Sequence, residues 1–276
     1  MMIVKKTREV YPLLKVLRIM RIAKPLTGVR GVFEYYTAPI KWLANLGRLK
    51  YEELLPTHLL LSTKYGLYYA HSGNVITFLL LHEAYEVENI MPKLVGKDTV
   101  FVDVGAHIGF YTVWACRRAR RVISVEPNPA ALAYLKANIA LNECSNVIVV
   151  PKALSDKRGY TKLKIPKTTE EGSIPSALSS IVWDYKEAFE VEVETDTLDS
   201  VLEEVGVDSV DVLKIDVEGA EGLVVRGAEK TLKKAKAVLI EICCPENMWV
   251  VGYLKNSGYK LEIIDHVYKN YLFIRR

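Results

Sequence analysis

The chain has 276 residues, half of them apolar and a quarter charged, with a formal net charge of +4. That is enough for one large domain with an appendage or two modest ones. It is too apolar for a disordered protein and, with four cysteines, too poor in cysteine for a disulfide scaffold. No apolar run approaches the roughly 18 residues of a membrane span. Lys15, Arg18 and Arg21 interrupt the apolar residues near the start, so no signal peptide is expected either. No pair among Cys116, Cys144, Cys243 and Cys244 has C-x-x-C spacing, so neither a zinc site nor a dithiol motif is read from them. The vicinal Cys243 and Cys244 are expected as small buried apolar residues near a strand end, and a reducing, cytoplasmic compartment fits. The chain has no glutamine and plentiful Lys, Arg and Glu, a lean shared with thermophile proteins.

The charge is unevenly placed. Residues 1–50 hold eleven Lys and Arg against Glu9 and Glu34, while the remainder is mildly acidic. Such an arm suits an anionic partner, either a membrane surface or nucleic acid. Within Val10–Ile22, apolar Val10, Leu13, Leu14, Leu17 and Met20 recur at roughly helical spacing, with Lys15 and Arg18 opposite. Two readings follow: a helix lying on an anionic bilayer, or one packed on the body or on a second copy in a homodimer. Arg21 and Lys24, which intrude on the apolar face, favour the second.

Tyr65–His71 and Asn74–Leu81 read as strands of a hairpin turning at Ser72-Gly73-Asn74, followed by a helix over His82–Leu94. From Lys97 strands and helices alternate. Strands are expected at Thr99–Val104, Val122–Glu126, Asn146–Pro151, Val210–Asp216 and Ala237–Cys243. Helices are expected at Ile108–Arg118, Pro129–Leu141, Leu198–Val205 and Gly219–Ala235. This alternation signals a parallel, doubly wound α/β sheet. Tyr259–Ile264 and Tyr271–Arg275 lie too close for a crossover helix and should pair antiparallel. A parallel sheet ending in such a hairpin is the layout of class I methyltransferases. The organisation read from the chain is a basic helical N-terminal extension (1–62), a hairpin and helix (63–95) and a Rossmann-like domain (96–276). Pro166–Glu187 is the one long irregular stretch, of the length that usually serves as a lid or binding loop.

The first strand of the alternating region runs into FVDVGAHIGFYT. Asp103 ends the strand, Gly105 permits a tight turn, and Gly109 lets the next helix pack close to the sheet. The pattern is not G-x-G-x-x-G, so no pyrophosphate is implied. ISVEPN places Glu126 at the end of the adjacent strand, where an acid can accept both hydroxyls of a ribose; the alternative is that it caps the next helix. DVLKIDVEGAE delivers Asp216 and Glu218, and AVLIEICC ends near Glu241. Asp103, Glu126, Asp216, Glu218 and Glu241 are therefore expected on one rim. Like charges that close raise one another's pKa or recruit a cation. No metal ligand set is predicted, although the rim leaves room for a divalent ion.

These motifs, with LKANIALN, TDTLD at Thr195–Asp199 and HEAYE around Tyr85, closely resemble the FkbM family of S-adenosylmethionine-dependent methyltransferases over about Gly66 to Arg276. The resemblance implies a class I Rossmann-like fold and O-methylation of a hydroxyl on a sugar, glycolipid or natural product. It implies that Asp103, Gly105 and Ala106 contact the methionine part of the cofactor, with His107, where the family often has Asn, and Gly109 in the same turn. Glu126 would hold the ribose with Asn128 beside it, Lys152–Leu154 with Ala153 would wall the adenine, and Asp216 and Glu218 would lie near the transferred methyl. Asp216 is the first candidate for general base, followed by Glu218 and Glu241, with His266 outside that set. One rival reading is an RNA ribose methyltransferase using the basic arm. The I-D-V-E after the fourth strand, in place of an N-P-P-[YF] type motif, speaks against base methylation. The other rival is a non-catalytic cofactor-binding adaptor.

Overall fold

The computed structural model describes residues 23–25, 58–71, 82–167, 179–265 and 269–275. The helix expected over Val10–Ile22, the strand expected over Asn74–Leu81, and His266 lie outside them. The chain divides into two compact units, residues 1–88 with 169–174 and residues 89–168 with 175–276.

The first unit holds an antiparallel sheet in the order β1 (Ala23–Pro25), β2 (His58–Thr63), β3 (Leu67–His71). The described parts of the extension expected as helical are thus strands. In β2 the alternation that buries Leu59 and Leu61 completely fits a half-covered sheet. The partner of β3 is β2, with Leu61 opposite Tyr68, and the chain reverses at Thr63–Gly66 through reciprocal backbone bonds of 2.9 and 3.3 Å. The turn expected at Ser72-Gly73-Asn74 lies outside the described residues. Helix α1 (His82–Asn89) follows, and its Glu88 carboxylate meets the Lys64 ammonium at 2.5 Å and accepts from the Tyr65 hydroxyl.

The second unit is built on a seven-stranded sheet. Its strands are β4 (Val100–Val104), β5 (Arg121–Val125), β6 (Val147–Val150), β10 (Val212–Ile215), β11 (Ala237–Glu241), β12 (Tyr259–Asp265) and β13 (Asn270–Arg275), in the spatial order β6-β5-β4-β10-β11-β13-β12. The first five in that order are parallel, and β13 runs antiparallel to both β11 and β12. The tail hairpin is as expected, with its second strand inserted beside β11. β4 and β10 are buried along their whole length, as central parallel strands covered on both faces require. The strand order reverses between β4 and β10, which places the ligand crevice of a doubly wound sheet above their carboxyl ends.

Helices α2 (Phe110–Cys116), α3 (Pro129–Leu141), α4 (Leu198–Glu204), α5 (Glu221–Arg226), α6 (Glu229–Leu232) and α7 (Trp249–Asn256) complete the layers. The single helix expected over Gly219–Ala235 is two, divided at Gly227-Ala228, and α7 escaped the sequence reading. So did a small sheet in the order β7 (Ala153–Leu154), β9 (Ala188–Asp196), β8 (Gly159–Pro166); β8 and β9 form a hairpin whose tip is the expected irregular stretch. Cys116 and Cys144 form a disulfide joining the ends of α2 and α3. This departs from the expectation of reduced thiols: helix packing pairs residues 28 apart in sequence, which no spacing rule shows.

Candidate active site

The end of β4 carries a buried carboxylate. Asp103 is completely inaccessible. Its Oδ2 accepts from Thr112 Oγ1 at 2.7 Å, and Thr112 shares a 2.6 Å bond with Ser124. Among the described residues its Oδ1 accepts no hydrogen bond, and it lies 3.7 Å from the Lys214 ammonium. Burial pushes the Asp103 carboxyl up, against the pull of Lys214 and Thr112. A buried acceptor with spare capacity is suited to a cationic or N–H donor from a ligand.

The turn after β4 explains its glycines. Gly105 has φ +77°, and a Cβ there would lie 1.7 Å from the Asp216 carbonyl oxygen, so only glycine lets β4 and β10 close at their ends. Gly109, at φ +90°, would place a Cβ 2.6 Å from Leu135; its absence lets α2 sit against α3. The Gly105 and Ala106 amides both donate to Val125 O at 3.0 Å, binding the turn to β5. His107 also adopts a positive φ of 50°. Burial lowers its pKa to about 4, so the imidazole is neutral at physiological pH.

Glu126 sits one strand over. Its Oε2 accepts from the His107 amide and its Oε1 from the Asn128 amide, both at 2.8 Å. Each oxygen thus uses one lone pair on the backbone and keeps another for a ligand hydroxyl. Burial pushes its pKa up to about 7, against those two amides. Asn128 caps α3 by accepting from Ala130 N at 3.0 Å, and its Nδ2 donates to Ser179 Oγ at 2.9 Å. Ala153 is buried in β7. The Lys152 ammonium is drawn into β9 and α4 instead, 2.9 Å from Glu194, 3.0 Å from Asp196 and 3.1 Å from Glu204.

On β10 the strand's period of two brings Lys214 and Asp216 to the same side. Lys214 Nζ lies 3.2 Å from Asp216 Oδ2 and donates to the Gly105 carbonyl at 3.4 Å. It also sits 4.8 Å above the Tyr111 ring. The sequence reading missed Lys214, which stands between the apolar Leu213 and Ile215 of the strand. Glu218 has a positive φ of 49°, and burial, with Asp216 and Glu221 adding, pushes its carboxyl up to about 8. Glu241 ends β11 opposite Asn270. The five acids share an edge of the sheet, but among the described residues they do not gather into a metal-ligating group. The divalent ion allowed for there has no ligand set.

The described end of the expected lid closes over this edge. Ser180 Oγ donates to the Glu218 carbonyl at 2.6 Å and accepts from the Val182 and Trp183 amides at 3.0 Å each. The Trp183 indole packs on Gly219 so closely that a Cβ there would lie 2.5 Å from Nε1. Tyr185 feels Glu218 and Cys243, and burial chiefly pushes its phenol up to about 12. Ser179 and Ser180 therefore tie the loop both to Asn128, at the start of α3, and to Glu218, beyond the end of β10.

Cys243 and Cys244 are not the buried apolar residues expected. Both are partly exposed, and their sulfurs contact Glu221 Oε1 and Asn247 Nδ2 at 3.2 Å each.

The chain is 26% identical over 206 residues to the methyltransferase sdnD of Sordaria araneosa, covering 64% of this chain and 78% of that one. It is 28% identical over 165 residues to the 2-O-methyltransferase NoeI of Sinorhizobium fredii, covering 55% and 66%. A methyltransferase FkbM structure from Methylobacillus flagellatus aligns with a TM-score of 0.45 and 15% identity, over 88% of this chain and 60% of that one. The model of the methyltransferase FkbM domain matches residues 103–261, from the β4 carboxylate into β12 and over more than half the chain, and the chain belongs to that family of methyltransferases.

Proposed function

We propose that the protein methylates a hydroxyl of a sugar, glycolipid or small natural product, with S-adenosylmethionine as donor. The donor set supports this cofactor: Asp103 Oδ1 has acceptor capacity for an ammonium, and both Glu126 oxygens have a lone pair for ribose hydroxyls. Gly105 and Gly109 keep the intervening turn clear of side chains. When bound, the cofactor would supply a sulfonium methyl whose carbon an acceptor oxygen could attack in line, with the sulfur leaving as a neutral thioether. The residues of this chain then have to place the oxygen and remove its proton.

The observation that carries the reading is the place of Glu218 just past β10, with its carbonyl bonded to Ser180 and Trp183 packed on the next residue; burial and the neighbouring acids also raise its carboxyl. A group poised near the working pH is suited to accept a proton from a weakly acidic hydroxyl. We therefore assign Glu218 as the general base ahead of Asp216, whose carboxylate is held by Lys214 at 3.2 Å and orients the rim. Glu241 has no assigned step. Trp183, packed on Gly219, offers an aromatic wall and Ser179, beside Asn128, a hydroxyl, a mixed surface that fits a sugar. The similarity to a 2-O-methyltransferase agrees with an oxygen acceptor.

The test is incubation of the purified protein with methyl-labelled cofactor and fractionated extract, followed by assay of lipid, glycan and RNA. Label in a glycan or glycolipid ether is the expected result, and Glu218→Gln should abolish it. Label confined to RNA would move the acceptor to ribose. Absence of cofactor binding by calorimetry at millimolar concentration would overturn the reading.

A further inference from the structure

Beside the catalytic edge lies a cluster to which methyl transfer assigns no role. Glu221 opens α5 and is completely buried, yet it makes no ion pair among the described residues. Its Oε1 accepts from the Gly219 amide at 2.8 Å and from the Cys243 thiol at 3.2 Å. Its Oε2 accepts from Asn247 Nδ2. The same amide nitrogen donates to Cys244 Sγ at 3.2 Å and to the Gly219 carbonyl at 2.8 Å. One carboxylate oxygen and the sulfurs of Cys243 and Cys244 all lie within 4.8 Å of one another.

We infer that Glu221, Cys243 and Cys244 form a binding site for a thiophilic divalent cation, with zinc the best match. Two sulfurs and one oxygen suit zinc, which is borderline-soft. Zinc–sulfur and zinc–oxygen bonds of about 2.3 and 2.1 Å in a tetrahedron set ligand separations of roughly 3.6–3.8 Å. The Cys243–Glu221 distance of 3.2 Å and the 4.8 Å limit on the whole set need adjustments of about 1 Å or less.

Three further features fit. A carboxylate with no cationic partner is costly to bury, and a bound cation offsets that cost. Asn247 already orients Glu221 through the oxygen the ion does not use, the outer-shell role that tunes ligand geometry. Gly222 makes room for Asn247, since a Cβ there would lie 2.6 Å from its Oδ1. The partly exposed sulfurs give the ion a way in. On binding, both thiols release their protons to solvent and two sulfur–metal bonds and one oxygen–metal bond form, with no change in oxidation state. The ion ties the end of β11 to the first turn of α5, next to Glu218. The catalytic carboxylates are not its ligands.

Cobalt(II) serves as the probe, because thiolate ligation gives it a charge-transfer absorption that carboxylates do not. The full-length protein, stripped with chelator and with its free thiols counted as reduced, should take up one cobalt per chain with that absorption and release it to one equivalent of zinc. Cys243→Ser/Cys244→Ser should lose the band, and Glu221→Gln should weaken affinity at least tenfold. Cys116→Ala/Cys144→Ala should keep both. Circular dichroism identifies a variant that fails to fold, in which case Cys244→Ser alone replaces the double variant. A reduced wild type without the band, or a folded cysteine variant that keeps it, overturns the site. A wild type whose Cys243 and Cys244 resist reduction as a vicinal disulfide overturns it as well.

Discussion

Replacing Glu126 with Gln tests the buried edge most directly. In the folded protein the carboxyl moves from an ordinary 4.5 to about 7, and at about 1.36 kcal/mol per pH unit this corresponds to roughly 3.4 kcal/mol. The folded state holds its proton more tightly than the unfolded one. The contribution is therefore fully present below about pH 4.5 and lost as pH rises through 7. Between pH 5 and pH 8 the wild type should lose about 2.5 kcal/mol of stability through this group, and Glu126→Gln should lack that loss. The variant carries a separate, pH-independent cost. One of the two backbone amides at 2.8 Å then faces an NH2 group, a penalty of about 1–3 kcal/mol. Urea unfolding of both proteins at pH 5, 6, 7 and 8, without cofactor, measures the difference. A gap between them that stays constant within about 0.5 kcal/mol across that range would refute the assignment of a raised carboxyl. Cofactor affinity gives a second reading. If both ribose hydroxyls bond to the carboxylate, the variant should lose about 1.5–3 kcal/mol of binding.

Lys214→Met strands two carboxylates, Asp103 and Asp216, that share one ammonium at 3.7 and 3.2 Å. Unfolding free energy should fall by about 3–5 kcal/mol, most above neutral pH, and denaturant melts at pH 5 and pH 8 would show it. Gly105→Ala should cost at least about 1–3 kcal/mol for the backbone alone at φ +77°. Displacement of the Asp216 carbonyl adds to that, and thermal melting with calorimetric titration should show both lower stability and lost cofactor binding. Cys116→Ala/Cys144→Ala opens a loop of 28 residues and should cost about 3–4 kcal/mol; equal denaturation midpoints with and without reductant would contradict the bond. Wild-type turnover should rise as pH increases through about 8, with ionisation of Glu218, and in Asp216→Asn, which removes a like charge that raises Glu218, rate–pH profiles should show that limb at lower pH.

Much of the second unit was legible because its signals are local. Five apolar runs, each 4 or 5 residues long in the structure, could only be parallel strands once amphipathic helices stood between them. Pro129 with Asn128 before it marked the start of α3, where the Asn caps the helix. The acids at strand ends were legible for the same reason: a charge after an apolar run marks where the strand gives way to the loop edge. Long-range pairing was less visible. β8 and β9 alternate polar and apolar residues on an exposed sheet, and Tyr160 and Phe189 stay exposed at 73% and 60%, so neither strand stood out from loop. The partnership of β2 with β3 was hidden by a helical expectation for the arm. Lys214 could not be recognised as functional from its own strand, because its meaning comes from Asp103 on β4. The polar role of Cys243 and Cys244 likewise depends on Glu221, 22 residues away from Cys243.

The division of labour among the acids follows from depth in the sheet. β4 and β5 are central parallel strands, and the carboxylates at or just beyond their ends, Asp103 and Glu126, are 0% and 6% exposed. Water cannot screen them, so each depends on fixed partners: Thr112 and Lys214 for one, two backbone amides for the other. Such groups bind well and exchange protons with solvent poorly. Asp216 side-chain atoms keep 25% exposure, and its carboxylate is held in place by the Lys214 ammonium at 3.2 Å. Glu218 lies just past the strand, on a left-handed backbone, where the like charges of Asp216 and Glu221 add to burial in raising its affinity for a proton. It alone combines a raised affinity for a proton with a position beneath the Ser180–Trp183 loop. In the proposed reaction, the topology that buries Asp103 and Glu126 leaves the proton-accepting role to Glu218, the second acid beyond β10.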